Sequence, residues 1–184
     1  MIEIKLSGRG GQGVVLASQI LAAAFFRTGK WVQSFPSFGA ERRGAPVAAF
    51  LRVDAKEITL RYGITQPDWL IIFDSNLVNN TVMDGVKPEV SVIVNWSPST
   101  QGPKLSLRQR VFVVDATSIA QGLNLRTTSF SIVNTAMVGA FAKASGLIDL
   151  DNITRAIDEL VPIKKKENVA AAREAYVKVK EVLL

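Results

Sequence analysis

Residues 7–13 read Ser-Gly-Arg-Gly-Gly-Gln-Gly, four glycines set between an apolar-alternating run and a long apolar stretch. The alternation of Ile2, Ile4 and Leu6 with Glu3 and Lys5 predicts a strand with one buried face, and Val14 to Phe26 predicts a helix. The glycines must therefore turn a strand into a helix. Gly8, Gly10 and Gly13 fit the G-x-G-x-x-G spacing, in which glycine admits positive φ and lets backbone N–H groups approach a phosphate at a helix N-terminus. Two readings stay open: an anion cradle, or a tight turn that holds nothing.

The helix predicted for Val14 to Phe26 is apolar on nearly every side, so a sheet can cover only half of it. Its other side calls for a second chain or another layer of this one. With 184 residues and 48% hydrophobic content, a single globular domain over residues 1–184 is expected. Met1 leads straight into strand-like sequence and no apolar run reaches the roughly 18 residues of a membrane span, so the expectation is a cytoplasmic protein without membrane contact.

Cysteine and histidine are both absent. That excludes a thiolate-ligated iron–sulfur cluster, a disulfide and a cysteine nucleophile, and removes the usual base and metal ligand at neutral pH. No catalytic or metal-ligating residue is expected in this chain. The net charge of +6 suits nucleic acid, an anionic cofactor or an acidic partner alike. Lys164, Lys165, Lys166, Lys178 and Lys180 read as the solvated face of a C-terminal helix. Since no RNP, zinc-finger or basic-helix motif is present, no nucleic-acid partner is expected.

Trp31 to Phe35 reads as a second strand. An NAD site needs Asp or Glu at its end to bind the ribose, and Gln33, Ser34 and Phe35 stand there instead. Next comes a dense loop, Ser34 to Pro46, with Glu41, Arg42 and Arg43 in its middle. The guanidinium forks suit phosphate or carboxylate, with Glu41 holding one of them; surface ion pairs are the other reading.

Val47 to Val53 and Glu57 to Arg61 flank Asp54-Ala55-Lys56 at a spacing that predicts an antiparallel hairpin. Trp69 to Phe73, Val90 to Val94 and Val111 to Val114 read as strands buried on both faces. They end in Asp74, Asn95 and Asp115, which either share a crevice with the glycine loop or cap helices. Ser97 to Pro103 reads as a loop. Ser129 to Ala144 predicts a broadly apolar helix with Gly146 as its C-cap. Asp151 is expected to cap a helix through Leu160, and Asn168 to precede a last helix ending near Leu183. The fold class is thus α/β: a mainly parallel open sheet with flanking helices, an added antiparallel hairpin and a Rossmann-like glycine loop.

Gly8-Arg9-Gly10-Gly11-Gln12-Gly13, together with Phe35-Pro36-Ser37-Phe38-Gly39-Ala40-Glu41-Arg42-Arg43-Gly44-Ala45-Pro46, closely resembles the gamma subunit of pyruvate and related 2-oxoacid:ferredoxin oxidoreductases. Pro67 to Asp74, Asn134, Gly146-Leu147 and Lys166-Glu167-Asn168 extend the resemblance over almost the whole chain. It implies a cytoplasmic multi-subunit enzyme that oxidatively decarboxylates a 2-oxoacid to an acyl-CoA and reduces ferredoxin. Alpha, beta and ferredoxin-like delta subunits would be the partners, carrying thiamine diphosphate (on beta) and [4Fe–4S] clusters. Pyruvate is the first expectation; 2-oxoisovalerate and indolepyruvate are alternatives. Gly8, Gly10, Gly11, Gln12, Gly13, Glu41, Arg42 and Arg43 are the candidate contacts to coenzyme A. A non-catalytic scaffold subunit and a stand-alone nucleotide-binding α/β protein are the competing classes.

Overall fold

The computed structural model describes residues 1–37, 45–78, 80–83, 86–97 and 109–182. Strand β1, Ile2–Arg9, runs into the glycine loop and helix α1, Val14–Arg27. Strands β2, Trp31–Ser37, and β3, Pro46–Asp54, follow. Then come β4, Trp69–Ile72, the short helix α2, Asn80–Met83, β5, Ser91–Asn95, and β6, Arg110–Val114. The chain finishes with α3, Ala116–Gly122, α4, Asn134–Ser145, α5, Leu150–Leu160, α6, Lys165–Lys178, and β7, Lys180–Val182.

One seven-stranded sheet has the order β2-β3-β1-β4-β5-β6-β7. Its centre, β1-β4-β5-β6, is parallel. The β2–β3 hairpin joins β1 antiparallel through β3, and β7 closes the far edge antiparallel to β6. An α/β fold with a parallel core and an antiparallel hairpin is what the sequence led us to expect, but the hairpin partner differs. Residues 57–61 form no strand, because both edges of β3 are already paired, one with β1 and the other with β2.

Alternation along the strands sorts the apolar side chains onto two faces. Ile4, Leu6, Leu51, Trp69, Ile71, Ile93 and Phe112 join the main core with α1, α3, α4, α5 and α6. Leu70, Ile72, Val92 and Val94 meet Leu77, Val78, Val82, Met83 and Val86 on the second face. Every residue of β4 is accordingly buried, as expected of a strand covered on both sides. Trp69, Phe141 and Phe25 lock sheet, α4 and α1 together edge to face, with ring centroids 5.5 and 6.4 Å apart.

Much of the apolar surface of the helices is covered within the chain. Every residue of α4 from Asn134 to Ala142 is buried, since α4 lies beneath α5 and α6, and α5 also covers α1. Another layer of this chain thus supplies much of the missing cover, while Phe26 near the end of α1 stays 69% exposed. Close packing of α4 on α6 is possible because position 139 is glycine: a Cβ there would stand 2.1 Å from the Ala172 carbonyl oxygen.

Three boundaries move from their expected places. Helix α4 begins at Asn134 rather than Ser129, because Thr127 Oγ1 accepts from the N–H groups of Ser129 and Phe130 and an Arg126–Ser131 bridge holds the chain extended. The N-cap of α5 is Asp149, whose carboxylate accepts from Asn152 N at 2.7 Å, while Asp151 sits inside the first turn. Asn168 lies within α6, accepts from Thr135 Oγ1 of α4 at 3.0 Å, and α6 gives way to β7. Gly146 does cap α4, at φ 62°. Lys164, Lys165, Lys166, Lys178 and Lys180 are exposed, as read from the sequence. Among the described residues, no helix is long and apolar enough to cross a membrane.

Candidate functional site: the glycine loop and the crevice beside it

Gly13 occupies the N-cap of α1 at φ 82° and Gly11 has φ 105°, so both sit where a side chain is strained. Packing also leaves little room for a Cβ. At Gly13 it would come within 2.6 Å of Asn134 Nδ2, at Gly11 within 3.1 Å of the Phe130 ring, and at Gly8 within 2.6 Å of Val14. The loop is pressed between its own helix and the segment leading into α4.

Gln12 braces the loop from inside: its Oε1 accepts from Arg9 N at 2.8 Å and its Nε2 donates to Phe73 O at 3.4 Å. Arg9 reaches the Asp74 carboxylate at 2.5 Å. The N–H groups of Gly11, Gly13 and Val14 have no hydrogen-bond partner among the described residues, so the donors of an anion cradle remain available. The glycines already fit the packing around them, whereas the open N–H groups are what a phosphate would use.

A crevice of about 320 Å³ opens beside the loop at the carboxyl ends of the parallel strands, lined by Gln12, Asp74, Asn95, Thr117, Phe130 and their neighbours. This is the edge at which open α/β sheets hold ligands. Asp74 and Asn95 share it with the glycine loop, as one sequence reading had it, whereas Asp115, named with them, is not among its lining residues. Capping is nonetheless real: Asp74 accepts from Asn76 N at 2.9 Å, and Asp115 accepts from Ser118 N at 2.9 Å at the start of α3. Asn95 donates to Phe73 O and Thr117 Oγ1, both at 2.9 Å, tying β4 to β5 and α3.

Glu41, Arg42 and Arg43 lie outside the described residues. The residues that follow them enter β3 beside the glycines. Gly10 N donates to Ala45 O at 3.0 Å, and Gly8 and Arg9 pair with Val47 and Pro46 in the β1–β3 ladder. The β1–β3 register thus brings together two stretches that the sequence singled out separately.

The place of a ribose-binding acid is filled structurally. Gln33 Oε1 accepts from Arg52 at 2.9 Å and its Nε2 donates to Leu60 O at 2.7 Å, and β2 is not a parallel neighbour of β1. A larger shallow depression of about 530 Å³ lies among Arg27, Arg155, Asp158 and Arg173, at the surface of α1, α5 and α6, far from the strands' carboxyl ends. Phe130 and the Arg9–Asp74 pair were not foreseen. Their roles depend on contacts between segments some 60 to 120 residues apart, for which neither carries a local signal.

Residues 3–177 match the family model described as pyruvate ferredoxin/flavodoxin oxidoreductase. The chain is 46% identical over 178 residues to the pyruvate synthase subunit PorC of Methanocaldococcus jannaschii, covering 96% of each chain. It is 45% identical to the pyruvate/ketoisovalerate oxidoreductases common subunit gamma of Pyrococcus furiosus, covering 97% of each. The crystal structure of the pyruvate oxidoreductase subunit PORC of Thermotoga maritima superposes with a TM-score of 0.81 at 32% identity, over 97% of both chains. With its glycine loop, loop pairing and whole-length likeness to these subunits, the chain belongs to the pyruvate ferredoxin/flavodoxin oxidoreductase family.

Proposed function

We propose that this chain is the gamma subunit of a cytoplasmic 2-oxoacid:ferredoxin oxidoreductase. In this reading pyruvate, CoA and oxidised ferredoxin give acetyl-CoA, CO2 and reduced ferredoxin. Whole-length similarity to a subunit named for pyruvate synthase supports pyruvate as the first substrate. A relative of nearly equal similarity, named as common to pyruvate and ketoisovalerate enzymes, keeps a branched-chain 2-oxoacid as the second. Thiamine diphosphate belongs to a beta subunit, and the [4Fe–4S] clusters belong to partner chains, since this one has no cysteine to ligate iron. Alpha and delta subunits complete the assembly.

Within that complex, the glycine loop and Arg42-Arg43 hold the phosphates of CoA. The observation that carries this is the bond from Gly10 N to Ala45 O, which joins the cradle of open N–H groups to the arginine loop's return strand. Docking of both loops on partner subunits is the competing role. Changing Arg42 and Arg43 to Ala in the assembled complex is expected to raise the KM for CoA at least about tenfold, since each charge-assisted bond contributes about 1.5 to 3 kcal/mol. The KM for the 2-oxoacid should barely move, and the chain alone should be inactive. An intact complex with unaltered CoA dependence refutes the CoA role, and failure to assemble assigns the arginines to docking.

A further inference from the structure

The second face of the sheet holds a charge that the glycine-loop crevice does not use. Lys5 points to that face from the middle of β1, half-buried, and its ammonium has no hydrogen-bond or ion-pair partner among the described residues. The other described charges on this part of the face are matched. Arg52 pairs with Glu3 at 2.8 Å and Arg9 with Asp74 at 2.5 Å, leaving Lys5 as the uncompensated positive charge among the described residues of this part of the face.

Lys5 lines a cleft of about 180 Å³ with Ser7 and Ser37. Ser7 is two residues along the same strand and therefore on the same face. Its side chain and that of Ser37 make no hydrogen bond to any described residue. Leu77, Val82 and Pro46 form apolar walls. A half-buried ammonium without a counter-ion is costly, and burial indeed pushes the Lys5 pKa down. The ammonium and the two hydroxyls can donate to both oxygens of a carboxylate, one negative charge balances the one left over, and the apolar walls suit an aliphatic stem.

We propose that Lys5, Ser7 and Ser37 form a binding site for a short aliphatic monocarboxylate, on the sheet face opposite the main helical layer. The test is NMR of the full-length chain with isotope-labelled lysine, the Lys5 signal being assigned by its loss in Lys5→Met. Acetate is the probe and inorganic phosphate the second arm. Acetate should shift the Lys5 signal saturably and raise its pKa while the exposed lysines stay put. Ser7→Ala and Ser37→Ala, each checked for an unchanged fold by amide spectra, should weaken acetate about fivefold through the lost hydrogen bond. A Lys5 shift that does not saturate, that all lysines share, or that survives both serine changes at full affinity overturns the site. Tighter binding of phosphate than of acetate overturns the carboxylate assignment.

Discussion

Gly139→Ala tests whether the α4–α6 crossing is as close as described. The new Cβ would lie 2.1 Å from the Ala172 carbonyl oxygen and 2.7 Å from its carbonyl carbon, against an ordinary contact of 3.4 Å or more. The obstacle is backbone, so no side chain can rotate out of the way and the helices must part by about 1.3 Å. Ala171, Ala172 and Ala175 are fully buried on α6, so separation also loosens a closely packed seam. Overpacking of this kind costs up to about 3 kcal/mol. Replacing a helical glycine by alanine returns about 1 kcal/mol of helix propensity. The net loss of about 2 kcal/mol corresponds to a fall in Tm of about 4–8 °C for a domain of this size. Thermal denaturation followed by circular dichroism reads it directly, with Gly122→Ala as the control. Nothing lies within 4 Å of a Cβ at Gly122, so that variant should match or slightly exceed the parent. A Gly139→Ala protein as stable as the parent would refute the close crossing.

Lys5→Met should raise Tm near neutral pH, because burial holds the folded-state pKa of Lys5 below its unfolded value. The folded state therefore binds this proton less well, and the cost of keeping it is complete below the folded pKa. The advantage of the variant should fade as pH rises to about 10.4, where the unfolded chain also releases the proton; a gain independent of pH would contradict the burial. Asp149→Ala should cost about 1 kcal/mol in urea denaturation through loss of the α5 cap, and Asp151→Ala clearly less, since it contributes only a first-turn charge. Equal losses would mean the cap has been misassigned.

The parts of the fold that follow from local chemistry were legible. Alternation around Ile4 and Leu6 marked β1, and the runs at Trp69, Val92 and Val111 marked strands with both faces covered. What periodicity cannot report is which strand edge remains free. Residues 57–61 look like a hairpin partner for β3 only until β1 and β2 are seen to occupy both of its edges. In the same way, Thr127 decides where α4 begins through two hydrogen bonds that no hydrophobic pattern encodes.

The face of β1 that carries Glu3, Lys5, Ser7 and Arg9 shows why the site was only partly readable. Alternation assigns all four to the polar side, and polar sides are ordinarily wet. Here Glu3 meets Arg52, a guanidinium with no exposed surface that also donates to Gln33 Oε1 at 2.9 Å and Tyr62 O at 2.8 Å. The Arg52 guanidinium lies 5.0 Å from the Tyr62 ring centroid, so the stretch that failed to become a strand is instead held down near this face. Arg9 is drawn to Asp74 at the strand's carboxyl end. A polar face covered at one end by Arg52 and tied at the other by Arg9 leaves Lys5 in a cleft between them, which a two-residue period cannot distinguish from open water. The glycines mislead in the opposite sense. Their spacing looks local and ligand-driven, yet Phe130 crowds Gly11 and Asn134 crowds Gly13 from over a hundred residues away. The anion-binding argument therefore rests on the open N–H groups of the loop and on its junction with Ala45, and not on the presence of glycine itself.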